Sequence, residues 1–93
     1  MSDNCIFCKI ANKEIPSQFV YEDDTVVAFK DLDPQGPVHV LVIPKKHIAS
    51  LMDTTAEDKA LLAHITCDVI PQLAKELNVA EKGFRTVVNT GEE

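Results

Sequence analysis

The sequence predicts an α+β fold: an antiparallel sheet, one long helix and a short N-terminal helix. Three observations lead there. Short runs rich in β-branched and aromatic residues stand at 19–22, 25–31, 38–43 and 84–89, separated by turn residues. Leu62, Ile65, Val69, Leu73 and Leu77 form one apolar stripe at helical spacing. That single helix is inserted between strands that come in pairs, which makes an α+β domain with an antiparallel sheet.

The elements follow in order. Asn4 is placed to N-cap a short helix over Cys5 to Ala11, its side chain accepting from an amide of the first turn. Phe19 to Glu22 and Thr25 to Asp31 form a hairpin around Asp23-Asp24, with Val27 and Phe29 alternating against Ala28 and Lys30. Asp33-Pro34-Gln35-Gly36-Pro37 is turn chemistry. Val38 to Ile43 is almost continuously apolar and β-branched, as a central strand is, and Pro44 ends it. Thr54-Thr55-Ala56-Glu57 reads as a capping box that opens a helix running to about Leu77. Pro71 removes the amide that would bond the Cys67 carbonyl. The stripe continues past it, so a kink is expected there and not an end. Gly83 then precedes a last strand, Phe84 to Asn89. These elements make four strands in one domain over residues 1–93.

Composition excludes several function classes. The 93 residues are 45% hydrophobic, enough for a small packed core. A formal charge of −6 is wrong for gripping a nucleic-acid backbone, where Lys and Arg must neutralise phosphates, so no nucleic-acid partner is expected. No apolar run is long enough to span a membrane, and Met1-Ser2-Asp3-Asn4 lacks a signal-peptide pattern, so a cytoplasmic protein without a membrane partner is expected. Three cysteines, an odd number, do not read as a disulfide framework. The three glycines all stand in turns, which leaves no Gly-rich phosphate loop.

Cys5 and Cys8 form C-x-x-C on the first helical turn, where positions three apart share a face. His47 follows the third strand, from which the chain can bring an imidazole back toward them. Two thiolates and an imidazole are three of the four ligands of a tetrahedral Cys₂His₂ zinc site. The same pair can also be two small hydrophobes or a redox dithiol. Redox pairs usually stand at a helix start after a strand, and no strand is expected before Cys5. Cys67, beside the apolar stripe, reads as a core or near-core thiol. His39 reads as a structural histidine within its strand, and His64 as a residue at a solvent or dimer boundary.

Several short words then stand in a telling order: Ile6-Phe7-Cys8-Lys9-Ile10, Glu14-Ile15-Pro16-Ser17, Tyr21-Glu22-Asp23-Asp24, Ala28-Phe29-Lys30-Asp31-Leu32, Leu41-Val42-Ile43-Pro44-Lys45-Lys46-His47-Ile48 and Val88-Asn89-Thr90-Gly91. Over essentially the whole chain they resemble the histidine-triad (HIT) family, in its branch of purine nucleoside phosphoramidases. The resemblance implies a five-stranded domain whose fifth strand would begin just after Glu93. It implies that Asp31 receives the ribose hydroxyls, a carboxylate being able to accept two hydrogen bonds from a vicinal diol. Ile6, Phe7, Ile10, Phe29 and Leu32 would line the base slot, and Asn89 would stand near the phosphate. Each has a plainer reading as well: a strand-end acid, core apolar residues and a turn residue. Lys30 stands where the family would have a histidine or a small residue.

The resemblance also implies zinc on Cys5, Cys8, His47 and one further histidine, and a homodimer built along the long helix and the last strand. The implied reaction is hydrolysis of a purine nucleoside phosphoramidate or related nucleotide conjugate, with a histidine attacking the α-phosphate. The family's H-x-H-x-H motif does not occur in the 93 residues. The chain therefore reads as the larger N-terminal part of a HIT hydrolase, catalytically incomplete as written. A non-catalytic nucleotide- or zinc-binding module is the alternative.

Overall fold

The computed structural model describes residues 5–30 and 38–90. The chain divides into two compact units, Met1–His47 and Ile48–Glu93. The class is the expected α+β.

The first unit opens with helix α1, Ile6–Ala11. Asn4 lies outside the described residues; Cys5 is the N-cap, its Sγ accepting from the Cys8 amide at 3.3 Å. The helix closes through Lys13, which takes the left-handed conformation at φ 64°. The Lys13 amide donates to the Ile10 carbonyl at 3.0 Å and the Glu14 amide to the Lys9 carbonyl at 2.8 Å. This paired closure usually uses glycine, since a left-handed residue with a side chain costs about 1–2 kcal/mol.

Three strands follow: β1 Phe19–Glu22, β2 Val26–Lys30 and β3 Val40–Pro44. They form an antiparallel sheet in the order β1-β2-β3. Asp23 makes the hairpin turn. Its Oδ1 accepts from the Thr25 and Val26 amides, both at 2.8 Å, and its Oδ2 accepts from the Tyr21 hydroxyl at 2.5 Å. The register slips between Phe19 and Tyr21, so that Phe19 faces Phe29 while Tyr21 faces Ala28.

Among the described strands the central one is β2, whereas the sequence suggested the 38–43 run. Val26, Val27, Ala28 and Phe29 are all at most 2% exposed. Successive strand residues point to opposite faces, so both faces of β2 are covered. The β3 residues are only half-buried, and β3 is an edge among the described residues. Continuous apolar character therefore did not pick out the central strand of the described sheet, because an edge strand can be as apolar as a central one. The Asp33–Pro37 turn lies outside the described residues.

In the second unit, Leu51–Asp53 forms a 3₁₀ turn. One long helix then runs from residue 56 to residue 76, in a 3₁₀ opening Ala56–Asp58, helix α2 Lys59–His64, a π-helical stretch Ile65–Val69 and helix α3 Ile70–Glu76. Its capping box lies one residue later than expected: Thr55 is the N-cap, and its amide donates to Asp58 Oδ2 at 2.9 Å. Asp58 is 3% exposed, the one buried charged side chain among the described residues.

The expected disturbance at Pro71 takes a definite form. The Ile70 amide bonds the Ile65 carbonyl five residues back, which widens the turn ahead of the proline. The helix resumes at Ile70 with Pro71 in its first turn, where a missing amide costs nothing. Along the stripe Val69 and Leu73 are buried, and Leu62, Ile65 and Leu77 are half-buried. Asn78, at φ 61°, ends the helix as Lys13 ends α1. Phe84 to Asn89 does not form the fourth strand. These residues are exposed and pair with no strand among the described residues, and β propensity without a partner does not make a strand. Among the described residues, no helix is long and apolar enough to cross a membrane.

Candidate metal centre

Two elements of the first unit bring Cys5, Cys8 and His47 together. Cys5 precedes α1 with extended backbone, φ −86° and ψ 110°. Cys8 follows one turn later and faces inward, 5% exposed. His47 stands three residues beyond β3, the strand against which α1 packs. The Lys45 amide donates to the Thr25 carbonyl at 2.8 Å, which carries the sheet pairing toward His47.

Cys8 Sγ and His47 Nδ1 are 3.0 Å apart, and the ligand atoms of all three residues lie within 4.8 Å of one another. A tetrahedral zinc with bonds of about 2.0–2.3 Å would space such atoms roughly 3.4–3.8 Å apart. Rotation of the exposed His47 and half-buried Cys5 side chains covers the difference, so the residues fit the ion. Two thiols and an imidazole are also the soft donor set that favours zinc over magnesium or calcium. Among the described residues no other group of three or more His, Cys, Asp or Glu side chains converges in this way.

Burial pushes the Cys5 thiol up, but hydrogen bonds with the Cys8 side chain and the amides of Cys8 and Phe7 outweigh it. The thiol rests below its ordinary value. Hydrogen bonds to sulfur favour the thiolate, which is the form that binds metal.

The other residues singled out from sequence fall in varied places. Cys67 is exposed, not core or near-core, because it projects from the side of the helix away from Val69 and Leu73. His39 is half-buried, just ahead of β3. His64 is half-buried and bonds Asp68 Oδ2 through Nδ1 at 2.8 Å, one helical turn on. Of the base-slot residues, Ile6 and Phe7 are 56% and 45% exposed on the outer side of α1, whereas Ile10 and Phe29 are buried. Phe29 packs against Phe19 with ring centroids 6.4 Å apart. Asp31 and Leu32 lie outside the described residues. Asn89 is exposed in the second unit.

Two features escaped the sequence reading. Glu22 bridges two cations, Lys45 Nζ at 3.1 Å and Lys13 Nζ at 3.4 Å. The hydrogen bond from Lys45 holds its carboxyl below the usual carboxylate range, with burial opposing and Lys13 assisting. The signal was faint, since these residues meet only through the sheet and the left-handed turn at Lys13. The second feature is a cavity of about 260 Å³ lined by Lys13, Ile15, Pro16, Ser17 and Phe19. The buried Ser17 Oγ has no hydrogen-bond partner.

Comparison with known proteins adds to this geometry. Residues 4–92 match the family described as "Scavenger mRNA decapping enzyme C-term binding". The chain is 52% identical to an uncharacterized HIT-like protein of Synechococcus elongatus, over 98% of this chain and 78% of that one. It is 41% identical to the purine nucleoside phosphoramidase of Escherichia coli K12, over 97% of this chain and 75% of that one. Among solved structures it is similar to a histidine triad protein from Clostridium difficile, with a TM-score of 0.93 and 50% identity, over 99% of this chain and 79% of that one.

Proposed function

Because this chain belongs to the histidine-triad family, we propose that it serves hydrolysis of purine nucleoside phosphoramidates or related nucleotide conjugates. The observation that carries this reading is the likeness, along nearly the whole chain, to a purine nucleoside phosphoramidase. The exposed apolar side chains of Ile6 and Phe7 on α1 support it, since a purine face is held by stacking and dispersion. In this reading Ile10, Phe29 and Leu32 complete the base slot and Asp31 receives the ribose diol.

In this reading Cys5, Cys8 and His47 hold a structural zinc, which when bound ties the start of α1 to the segment after β3. The chain acts as a homodimer. Phe84, Val87 and Val88, each more than half exposed in a stretch outside any helix or strand, offer an apolar surface to a second copy.

None of His39, His47 and His64 stands in an H-x-H-x-H pattern, so the decisive test reads binding and not turnover. Adenosine and 2′,3′-dideoxyadenosine are titrated into the 93-residue polypeptide and its Asp31→Asn variant, followed by NMR. Adenosine should bind at millimolar Kd and more tightly than the dideoxy form, because only adenosine offers a diol. Each charge-assisted hydrogen bond is worth about 1.5–3 kcal/mol, so the preference should reach roughly tenfold or more. Asp31→Asn should erase the preference and keep residual base binding. Equal affinity of the wild type for both nucleosides would remove Asp31 from this role.

A further inference from the structure

We propose that Cys5 and Cys8 are a reversible redox couple, closing to an intramolecular disulfide that excludes metal from the same site. The proposal shares residues with the zinc reading but not its premise, since closure requires no metal.

Three observations carry it. The first is reach. The two sulfurs lie within 4.8 Å of each other, and Cys5 stands outside the helix with extended backbone. Rotation about its Cα–Cβ bond moves Sγ toward Cys8 and leaves the Lys9 amide bonded to the Cys5 carbonyl at 3.1 Å. A disulfide needs its sulfurs at about 2.05 Å, with Cα atoms 4.4–6.8 Å apart, a separation that one helical turn provides. The second is asymmetry. Cys5 is half-buried and open to solvent, whereas Cys8 is enclosed, so an oxidant meets Cys5 first and Cys8 is held behind it as the resolving thiol. The third is polarisation of the outer sulfur: the Cys8 amide donates to Cys5 Sγ at 3.3 Å. Redox pairs commonly sit at a helix start, where amides polarise the thiol, and the Cys8 amide does so here.

The chemistry balances with a peroxide as oxidant. Cys5 sulfur attacks one peroxide oxygen and the O–O bond breaks. A sulfenic acid forms, and the departing hydroxide takes the thiol hydrogen and leaves as water. Cys8 sulfur then attacks the Cys5 sulfur, the S–O bond breaks and the S–S bond forms. The second hydroxide leaves as water with the Cys8 hydrogen. Two sulfurs are each oxidised by one electron and the peroxide is reduced by two. An external dithiol reverses the reaction by exchange. The disulfide removes two of the three candidate ligands, so oxidation expels the metal and bound metal shields the sulfurs.

The test uses the Cys67→Ser polypeptide, which takes the exposed third thiol out of play. Chelator-treated protein is exposed to hydrogen peroxide, blocked with N-ethylmaleimide, digested and weighed. The peptide spanning Cys5 and Cys8 should be unlabelled and lighter by two hydrogens, and dithiothreitol should restore it. Pre-incubation with zinc should slow the reaction by about tenfold or more, because a coordinated thiolate is withdrawn from attack. Cys8→Ser should instead stop at the Cys5 sulfenic acid or its over-oxidised forms. A Cys67→Ser sulfur pattern identical to that with Cys8→Ser added, with no intramolecular disulfide, would overturn the proposal. The zinc reading fails separately: disulfide formation in chelated protein with no protection by zinc keeps the couple and removes the metal. Zinc binding without any disulfide does the reverse.

Discussion

Replacing Cys8 by serine should cripple zinc binding, and the expected size of the effect follows from the geometry. Complete structural zinc sites bind with about 10–16 kcal/mol from four ligands, or roughly 2.5–4 kcal/mol per ligand. Cys8 is the best placed of the three: its sulfur is 3.0 Å from His47 Nδ1, and its amide holds Cys5 Sγ at 3.3 Å. Cys8→Ser removes one thiolate and its hydrogen bond, so zinc affinity should fall by about two orders of magnitude or more. Because Cys8 is enclosed, a serine there also strains the fold. His47→Asn, at an exposed position, removes a ligand without that cost and should weaken binding comparably. Cys67→Ser should leave affinity unchanged. Competition against a chromophoric zinc chelator at neutral pH measures all three, with elemental analysis for one zinc per chain. Affinity should drop as pH falls, because protons compete for the thiolates. Zinc bound equally well by wild type, Cys8→Ser and His47→Asn would refute the reasoning.

Glu22→Gln should change the acid limb of stability. The Glu22 carboxyl is held low in the folded chain, so its contribution is fully present above the ordinary carboxylate range and is lost as pH falls through the lowered value. Thermal melts of the two proteins should therefore differ at neutral pH and converge in strong acid. Asp58→Ala removes the buried acceptor of the Thr55 amide and should cost about 1–2 kcal/mol, a fall in Tm of several degrees, measured by calorimetry. Light scattering at micromolar concentration should report twice the chain mass. Val88→Glu, at a position 61% exposed, should shift the equilibrium toward monomer without lowering helix content.

Local chemistry was the legible part of the sequence. Asp23-Asp24 announced the hairpin, and Asp23 indeed satisfies two turn amides with one oxygen. The stripe from Leu62 to Leu77 marked the long helix, and C-x-x-C with His47 marked the cluster whose ligand atoms converge. Long-range pairing was less legible. Nothing in Val38 to Ile43 says that β2 is its one partner among the described residues, because strand order is a property of the sheet and not of the strand. The run from Phe84 to Asn89 carries β propensity but finds no partner among the described residues. Capping erred by one residue, since Thr54-x-x-Glu57 and Thr55-x-x-Asp58 compete on equal chemistry and only burial of Asp58 separates them. The cysteine cap of α1 had no sequence signal, because thiols are not among the usual capping groups.

The π-helical stretch sets a rule for how this chain tolerates changes in length. Ile65, Val69, Leu73 and Leu77 recur every fourth residue, whereas an α-helix turns every 3.6. In an unbroken α-helix each such step would carry the apolar stripe about 40° round the axis. The wider turn over Ile65–Val69 takes up part of that excess, and Val69 and Leu73 both stay buried. Deleting one residue there would leave everything from Ile70 onward on nearly its present face, because the wide turn holds one residue more than an α-helical turn. It would also put Pro71 inside a regular α-helix, where its ring meets the carbonyl four residues back. A single deletion in this stretch should therefore cost stability through the proline and not through phase, and the same deletion combined with Pro71→Ala should be accepted.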